Sequence, residues 1–542
     1  MTEATTVRVV AANAEKSWWR GAAIYQIYPR SFADSNGDGI GDLPGITAHL
    51  PYVASLGVDA IWLSPFFPSP MQDFGYDISD YCNVDPIFGA LADFDVLIAR
   101  AHALGLRVII DQVYAHTSDA HAWFGESRAS RHNPRADWYV WAEPKPDGSP
   151  PNNWQSVFGG PGWTWDARRQ QYYMHNFLSS QPQLNVHLAA VQDALLAAAS
   201  FWLDRGVDGF RIDAISCAMH DPQLRDNPPA PTSNAAARTR PFDYQLHLYN
   251  QSHADIPRFL ERLRTLTDSY GDRFTVAEVG GSDAEPEMHR FTAPRRLDSA
   301  YSFSFLYADA LTPERVANML TSWLDDTAGW PSWAFENHDA PRALSRWAAP
   351  EHRAAFARMK MLLLVCLRGN IFLYYGEELG LTQVDVPFEA LRDPEAIANW
   401  PRTLSRDGAR APMPWQRDAP ALGFSSGAPW LPQGPDYAAN AVDVQEADTR
   451  SVLHLTRALL ALRRAHPALQ TGALTLVAVT ASVLAFERVE VGERLLCAFN
   501  FSAEAAVWQP AEPQRWRLVY EVNGSGEGML APHGAQLLEW IA

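Results

Sequence analysis

Charged and polar side chains stand at the ends of four of the β-strands that the sequence predicts, and they could supply acid/base and nucleophilic chemistry. Carboxyl groups predominate among them, and two carboxyls with different pKa values can act one as a nucleophile and the other as a proton donor. The strand ends of a parallel barrel meet at one mouth, so we expect a single shared site. The residues are Asp111 and His116 at the end of the third strand, Arg211 and Asp213 at the fourth, Glu278 at the fifth, and Glu336, His338 and Asp339 at the seventh.

Arg211 and Asp213 are two positions apart in the predicted fourth strand. Side chains at this spacing point to the same face of a strand, here the barrel interior, whereas Phe210 and Ile212 face the surrounding helices. A guanidinium within hydrogen-bonding distance lowers the pKa of a carboxyl group. We therefore expect Asp213 to stay ionised, which suits a nucleophile rather than a proton donor.

Glu278 lies in an apolar segment, between Ala277 and Val279. A drier environment raises the pKa of a carboxyl group towards the value that a general acid needs. Two carboxyls about 5 to 5.5 Å apart form the working pair of a retaining glycosidase, in which one attacks carbon and the other protonates the leaving oxygen. Sequence spacing does not supply that distance, and any one of these residues alone could equally be a helix cap or a structural ion pair.

The elements that must position these residues alternate regularly. From Trp18 to about residue 380, short β-branched or aromatic runs alternate with amphipathic stretches, which is typical of βα units and a parallel sheet. Apolar positions at helical spacing, such as Leu91, Phe94 and Ile98, mark the stretches between strands. Eight strands are predicted, the number in a (β/α)8 TIM barrel. They are AIYQIYPRSF, DAIWLSPFF, RVIIDQVY, GFRIDAIS, FTVAEVG, AYSFSF, SWAFENHD and IFLYYGEE.

Two regions depart from this alternation. About seventy residues rich in Trp, Pro, Asn and Gly follow the third strand, and a loop of that length is usually functional or a small inserted domain. After the helical segment RSVLHLTRALLALRRAHPAL, the chain changes to alternating strands such as LTLVAVT. We therefore predict an α/β fold with three parts: a catalytic (β/α)8 barrel over residues 18–116 and 187–467, an inserted domain over 117–186, and a C-terminal antiparallel β-sandwich domain over 468–542.

Charge and cysteine usage exclude several classes of protein. The formal net charge is −18, whereas a nucleic-acid-binding protein normally presents a basic face. The cysteines Cys82, Cys217, Cys366 and Cys497 stand far apart, and we interpret them as buried free thiols. The N-terminus does not resemble a signal peptide, and the apolar run MLLLVCL is too short to span a bilayer. We expect a cytoplasmic monomer or homodimer with no membrane or nucleic-acid partner.

Five segments together resemble the conserved regions of the α-amylase family of glycoside hydrolases, family 13, and more closely its α-glucosidase and oligo-1,6-glucosidase branch. The resemblance runs nearly end to end, and it is specific because the segments occur in the same order and spacing. The segments are DQVYAH at 111–116, QPQLN at 181–185, GFRIDA at 209–214, VAEV at 276–279 and FENHD at 335–339.

The resemblance implies a role for each matching residue. Asp213 would be the nucleophile, Glu278 the acid/base, and Asp339 the carboxylate that holds sugar hydroxyls and stabilises the transition state. The remaining members of the glucose site would be Arg211, His116 and His338, with Asp111 as a supporting carboxylate.

Further matches imply a member of the family that acts on chain ends. The segment DFGYD at 73–77 resembles one whose Tyr, here Tyr76, stacks on the terminal glucose and whose first Asp, here Asp73, binds its far hydroxyl. Arg410, in SRDGARAPMPW, resembles the partner of that Asp. An Asp73–Arg410 pair would close the pocket beyond one glucose unit, so a polymer could not pass through it.

Two positions in these segments bear on specificity. The family usually has Asn before the histidine of the first segment, whereas this chain has Ala115, which could alter how the pocket is braced. The branch that cleaves α-1,6 bonds usually has Val after the nucleophile, whereas this chain has Ala214. This difference favours α-1,4 substrates such as maltose.

The segment DSNGDGIGD at 34–42 resembles the family's metal loop. Its oxygen-bearing groups suit a structural Ca²⁺, or Mg²⁺, remote from the chemistry. A polar Gly-rich turn without a metal is the alternative. The predicted ligands are Asp34, Asn36, Asp38, the Ile40 carbonyl and Asp42. No organic cofactor is expected.

Several functions remain open at this level. The leading hypothesis is a retaining, exo-acting α-glucosidase that cleaves short α-glucosides through a covalent β-glucosyl-enzyme. A glucosyltransferase would use the same groups but pass glucose from maltose to a hydroxyl or phenolic acceptor. A non-catalytic relative of the amylases is a remote alternative, because such subunits lack the three carboxylates. A metal-dependent barrel hydrolase is disfavoured, since no two His residues stand with a carboxylate at ligand spacing on a strand end.

Overall fold

In the computed structural model, residues 17–231, 239–281, 284–324, 329–402, 405–526 and 528–541 are described. Eight parallel strands form a closed barrel in which the eighth strand pairs with the first, Ala23 lying opposite Ile371. The predicted (β/α)8 fold is therefore confirmed. The strands are Ala23–Ile27, Ala60–Leu63, Arg107–Val113, Gly209–Asp213, Phe274–Val279, Ser299–Ser302, Trp330–Ala334 and Asn370–Tyr374.

Barrel register places the functional candidates side by side. In the pairing of the third and fourth strands, Asp111 lies opposite Arg211 and Val113 opposite Asp213. In the pairing of the fifth and sixth strands, Glu278 lies opposite Tyr301. Because these pairs fall at the carboxyl ends of the strands, their side chains meet at the mouth where barrel active sites lie.

The predicted sixth and seventh strands extend too far. The sixth strand ends at Ser302, whose hydroxyl accepts from the Ser304 N–H and caps a short helix, Phe303–Leu306. The seventh strand ends at Ala334, so the FENHD segment forms the loop after it. Apolar runs alone do not mark where a strand gives way to a cap or a loop.

Outside the segment after the third strand, the described residues form eight helices of eight or more residues, and their buried apolar side chains contribute to the core. Asp42 caps the first of them through the Gly45 N–H, and Gly57 ends it in the left-handed conformation at φ 88°. These helices are Leu43–Leu56, Leu91–Ala103, Ala189–Asp204, Ile256–Asp268, Ala284–Phe291, Pro313–Thr321, Arg353–Cys366 and Val452–Ala465. Shorter helices are Pro29–Phe32, Ala343–Trp347, Pro394–Asn399, Val442–Ala447 and Pro467–Gln470.

The segment after the third strand carries a helix, Ala122–Ala129, and a small antiparallel sheet. Trp154 and Trp163 are buried and stack with ring centroids 5.7 Å apart, whereas Trp165 is largely exposed. The first two are therefore core residues of this segment. The strands of the sheet are Trp141–Ala142, Trp163–Asp166 and Gln171–Met174.

The C-terminal part is an antiparallel five-stranded sheet beside a small three-stranded sheet. Buried Arg488 joins it to the barrel, because its guanidinium donates to the Cys366 carbonyl of a barrel helix and to the Gly472 carbonyl. The larger sheet contains Ala473–Val479, Val483–Glu490, Glu493–Asn500, Trp516–Val522 and Ala535–Trp540, and the smaller contains Ala506–Val507, Ser525–Gly526 and Met529–Leu530.

The four cysteines are free, as predicted, but Cys82 is only partly buried. None of the helices in the described ranges is long and apolar enough to cross a membrane.

Candidate active site

The Arg211 guanidinium lies at the centre of the site and is completely buried. Its Nη1 donates to Asp111 Oδ1 at 2.7 Å and to Asp213 Oδ1 at 2.7 Å. Its Nη2 forms an ion pair with Glu278 Oε1. One arginine therefore holds three carboxylates from three neighbouring strands, including both members of the predicted catalytic pair.

Glu278 is oriented by two further contacts. The Tyr301 hydroxyl donates to its Oε1 at 3.2 Å and accepts from Arg211 Nε at 3.1 Å. The Ala214 N–H donates to Oε2 at 3.2 Å. Ala214 adopts φ 37° and ψ 43°, a left-handed conformation that is costly for alanine and turns the chain immediately after Asp213. The strained turn therefore places the backbone N–H that follows Asp213 within hydrogen-bonding distance of the Glu278 carboxylate.

The electrostatics of this pair differ from the sequence-based expectation. Burial raises the pKa of Asp213 to about 7, although the Arg211 charge opposes the rise. Burial likewise raises the pKa of Glu278 to about 7, again against Arg211. The expectation that Arg211 would keep the pKa of Asp213 low is therefore wrong, because desolvation in the barrel interior outweighs one guanidinium shared among three carboxylates.

Of the three predicted catalytic carboxylates, Asp339 has the most exposed side chain. Its Oδ1 accepts from Arg410 Nη2 at 2.8 Å and from Arg406 Nη1 at 3.3 Å. Burial opposes ionisation, but the nearby positive charges outweigh it and hold the pKa of Asp339 well below its usual value. Asp339 is therefore an anion at neutral pH, unlike the Asp213 and Glu278 pair.

His338 is held in one orientation by Gln26 on one side of its ring and by Tyr76 and Asp339 on the other. Gln26 Nε2 lies 2.8 Å from Nδ1, and since an amide nitrogen can only donate, Nδ1 accepts and Nε2 carries the proton. That Nε2 lies 2.5 Å from the Tyr76 hydroxyl and 3.1 Å from Asp339 Oδ2. Burial lowers the pKa of His338 to about 3, so the ring is neutral at pH 7.

The predicted Asp73–Arg410 ion pair is wrong. Asp73 Oδ1 pairs with Arg406 Nη2 at 3.0 Å, and its Oδ2 accepts from Gln181 Nε2 at 3.1 Å. Arg410 instead binds Asp339 and donates through Nε to the His338 carbonyl at 2.7 Å. The motif SRDGAR contains two arginines four positions apart, and its sequence does not indicate which of them faces Asp73.

Tyr76, His116 and Asp111 complete the predicted sugar-binding set. The Tyr76 ring stacks on the His338 ring with centroids 5.3 Å apart, and its hydroxyl donates to Asp111 Oδ2 at 3.3 Å. His116 Nε2 lies 3.1 Å from the Tyr76 carbonyl and 3.2 Å from Gln181 Nε2. All ten predicted catalytic and sugar-binding residues are therefore brought into one connected network at the mouth.

Sequence reasoning missed several members of this network. Gln26 sets the His338 tautomer, Arg406 pairs with Asp73, and Tyr301 and Gln181 orient carboxylates. Trp62 was also missed; its indole N–H donates to Asp111 Oδ2 at 3.1 Å. Gln181 and Arg406 lie inside matched segments and could have been found there, whereas Gln26, Trp62 and Tyr301 carry no local signal.

Glu336 lies away from the catalytic network that contains the other strand-end candidates. Its carboxylate is buried and binds Lys360 Nζ at 3.2 Å and Arg342 Nη1 at 3.2 Å. Lys360 also donates to Glu377 at 2.6 Å. Glu336 therefore belongs to a buried ion-pair cluster with a structural role.

The loop at 34–42 is ordered by side chains that accept from its own backbone. Asp34, Asn36 and Asp38 each accept from the N–H two positions on, which curls the loop in three successive turns. Asp42 accepts from Ser35 and caps the following helix. Among the residues described, these acidic groups do not bring three carboxylate oxygens within 4.8 Å of one another, so a bound ion would depend on the Asn36 amide and the Ile40 carbonyl as well.

A (β/α)8 barrel whose mouth holds a buried carboxyl pair and a third, ionised carboxylate has the groups that a retaining glycoside hydrolase needs. Residues 26–472 match the family described as alpha amylase, catalytic domain. The chain belongs to this α-amylase family, glycoside hydrolase family 13. The predictions of the family and of an enzyme are thereby confirmed.

Named relatives narrow the class of glycoside hydrolase to which this chain is similar. A probable α-glucosidase of Rhizobium meliloti (strain 1021) is 52% identical over 501 residues, which is 91% of each chain. An oligo-1,6-glucosidase of Parageobacillus thermoglucosidasius is 35% identical over 528 residues, 91% of this chain and 92% of the relative. The crystal structure of an α-glucosyl transfer enzyme superposes with a TM-score of 0.94 at 50% identity and covers 97% of this chain and 100% of that one. The chain is thus a glycosidase of the α-glucosidase class.

Proposed function

We propose that this protein is a retaining, exo-acting α-glucosidase that releases glucose from the non-reducing end of short α-glucosides, with maltose favoured, and that it also transfers glucose to hydroxyl acceptors. The observation that carries the proposal is the single guanidinium of Arg211, which contacts both Asp213 and Glu278. Two carboxyls held by one group can divide nucleophilic and acid/base work on one glycosidic bond.

In the proposed mechanism, the Asp213 carboxylate attacks the anomeric carbon while protonated Glu278 gives its proton to the leaving oxygen. The product is a covalent β-glucosyl ester on Asp213 and a released alcohol or sugar. Glu278, now ionised, removes a proton from water or an acceptor hydroxyl, which attacks the same carbon and restores the α configuration. Asp339, which carries a full negative charge, binds sugar hydroxyls and stabilises positive charge developing on the ring.

Exo action is supported by the Asp73 and Arg406 ion pair. Both side chains are largely buried, and Gln181 donates to Asp73 from the segment after the third strand. A buried polar wall of this kind can donate to and accept from the hydroxyls of a terminal glucose. The resemblance of the 73–77 segment to the family's terminal-glucose segment points the same way.

A predominantly transferring enzyme is the second candidate. It is favoured by one observation, the α-glucosyl transfer enzyme that matches this chain over 97% of its length at 50% identity. Hydrolysis and transfer share the glucosyl-enzyme and differ only in whether water or another hydroxyl compound, such as a phenol, occupies the acceptor side.

The testing experiment separates these outcomes. Purified enzyme is incubated with maltose, isomaltose and sucrose, with and without a phenolic acceptor, and the first products are followed by proton NMR. We expect maltose to be the fastest substrate. With sucrose, whose leaving sugar is fructose, we expect the released glucose to be the α anomer, and β-glucose from sucrose would overturn the retaining mechanism. With maltose as the donor, transfer yields one α-glucoside and one glucose per maltose, whereas hydrolysis yields two glucose molecules. An α-glucoside yield equal to the maltose consumed would establish the transferase instead.

We also propose that the 34–42 loop holds a structural Ca²⁺, or Mg²⁺, through Asp34, Asn36, Asp38, the Ile40 carbonyl and Asp42. The support is an all-oxygen donor set in a curled loop, the chemistry that these hard cations prefer. Such an ion would brace the loop ahead of the helix that Asp42 caps, and no catalytic step depends on it.

A further inference from the structure

A group of imidazoles and one carboxylate lies outside the catalytic network. In the described part of the chain, His187, His253 and Asp255 form the one set of three His, Cys, Asp or Glu residues whose ligand atoms all lie within 4.8 Å of one another. His187 precedes the helix Ala189–Asp204, and the other two precede the helix Ile256–Asp268. The two helices are joined by Arg262, which donates to Gln192 at 2.7 Å.

Hydrogen bonds leave a suitable ligand atom on His187. Its Nε2 lies 2.7 Å from the His220 carbonyl, which can only accept, so Nε2 carries the proton. The lone pair of Nδ1 is then available. A backbone carbonyl that fixes the tautomer of a metal-binding histidine is a typical outer contact of metal sites.

His253 and Asp255 are placed to chelate the same ion. His253 Nδ1 lies 3.8 Å from Asp255 Oδ2. Two ligand atoms of a tetrahedral Zn²⁺ site bonded at about 2.0–2.1 Å lie about 3.4 Å apart, so a small rotation closes the gap. In that geometry the cation replaces the long hydrogen bond, 3.2 Å, from the Asp255 N–H to Nδ1. Asp255 Oδ1 is meanwhile held by Arg258 at 3.0 Å, which leaves Oδ2 for the cation.

A fourth side chain supports this assignment independently. His220 is nearly buried, and its Nδ1 makes no hydrogen bond to any residue that the structure describes. Its ring packs against that of His187 with centroids 5.2 Å apart. A buried imidazole nitrogen without a partner is costly, and a cation bound beside it, directly or through a water ligand, would satisfy it.

We infer that His187, His253 and Asp255 bind a divalent transition metal ion of the Zn²⁺ class, with His220 beside it. Two imidazoles and one carboxylate favour Zn²⁺, Ni²⁺ or Cu²⁺ over Ca²⁺ and Mg²⁺, which prefer oxygen ligands. The ion joins the start of one barrel helix to the start of the next, and His220 lies only seven positions after Asp213. It therefore braces the segment that begins at the nucleophile without touching the reacting atoms.

The test is calorimetric titration of tag-free, EDTA-treated enzyme with ZnCl₂ in the presence of saturating Ca²⁺, which fills any oxygen-ligand site. The wild-type chain should bind one Zn²⁺. His253→Ala and Asp255→Asn should each weaken Kd by at least about tenfold. His132→Ala removes an exposed histidine and should leave Kd unchanged.

Each variant is checked for an unchanged circular dichroism spectrum and for kcat on maltose without added Zn²⁺, so a folding defect is distinguished from a lost ligand. Zn²⁺ should also raise the Tm of the wild type and of His132→Ala but not that of His253→Ala. No Zn²⁺ uptake by the wild type, equal Kd values for wild type and His253→Ala, or equal binding of Mg²⁺ to this group would each overturn the inference.

Discussion

Asp73 and Arg406 form an ion pair with 3.0 Å between Oδ1 and Nη2, although 333 positions separate them in the chain. The same guanidinium group contacts Asp339 at 3.3 Å and Asp393 at 2.8 Å. One arginine thereby connects the proposed end wall of the pocket to the ionised carboxylate of the catalytic network. Changes at Arg406 should therefore affect binding of the terminal sugar and stability together.

Arg406→Met and Asp73→Asn should each raise KM for maltose by at least about tenfold, because each breaks the buried ion pair that forms the proposed end wall of the pocket. If the two side chains act as a unit, the KM of the double variant should be close to that of the more impaired single variant. This result corresponds to a coupling free energy of at least about 1 kcal/mol in a double-mutant cycle. Arg417→Met, at an exposed arginine, is the matched control. Strictly additive effects would show that the pair does not act as one element of the pocket.

Asp213→Asn should lower kcat for maltose by at least about a thousandfold, because an amide cannot form the glucosyl ester. The fold should be retained, since Arg211 keeps its contacts to Asp111 and Glu278. Stopped assays and circular dichroism measure the two effects, and Asp137→Asn, at an exposed carboxyl, serves as the control. Activity close to that of wild type would remove Asp213 from the nucleophile role.

The pH profile of kcat/KM should be a bell with limbs on either side of pH 7. Burial raises the pKa values of both Asp213 and Glu278 to about 7, so the pair loses its two protons in successive steps near neutrality. Only the singly protonated pair has one nucleophilic carboxylate and one acid. The rate should fall at low pH as both carboxyls are protonated and at high pH as both are ionised. In Glu278→Gln the alkaline limb should disappear; a limb that persists there must come from another group.

Lys360→Met should lower the free energy of unfolding by about 3–5 kcal/mol, since it leaves the buried carboxylates of Glu336 and Glu377 with less positive charge to offset their own. Lys360 lies in the ion-pair cluster rather than in the catalytic network, so kcat of the folded enzyme should change little. Urea unfolding measures the loss. Lys145→Met, at an exposed lysine, should be neutral; an equal loss there would show that the cluster is not the cause.

Removal of Ca²⁺ with EDTA should lower Tm, and added Ca²⁺ should restore it, because a ligand that binds only the folded state stabilises it. Asp38→Asn should make Tm independent of Ca²⁺ at an unchanged kcat. If EDTA leaves the wild-type Tm unchanged, the 34–42 loop is a polar turn that needs no metal. Differential scanning calorimetry measures Tm, and Zn²⁺ is omitted so that the site at His187, His253 and Asp255 does not contribute.

The barrel and the face of the strand on which Arg211 and Asp213 lie could be predicted from the order of residue types alone. Alternation of period two fixed Arg211 and Asp213 on one face of a strand, and the eight βα units fixed the mouth as the place where strand ends meet. These features depend on neighbours in the chain, so the pattern of residue types contains them. Strand ends were less predictable, as the loop at Glu336 and the cap at Ser302 demonstrate.

Which distant groups meet, and how far they are desolvated, depends on long-range packing. The choice of Arg406 over Arg410 as the partner of Asp73, and the contact of Gln26 that sets the tautomer of His338, depend on long-range packing. The raised pKa of Asp213 depends on burial in the barrel, because desolvation is a property of the whole surrounding fold rather than of two adjacent residues. The meeting of His187, His253 and Asp255 arises in the same way, since ligands from separate helix starts leave no spacing in the sequence.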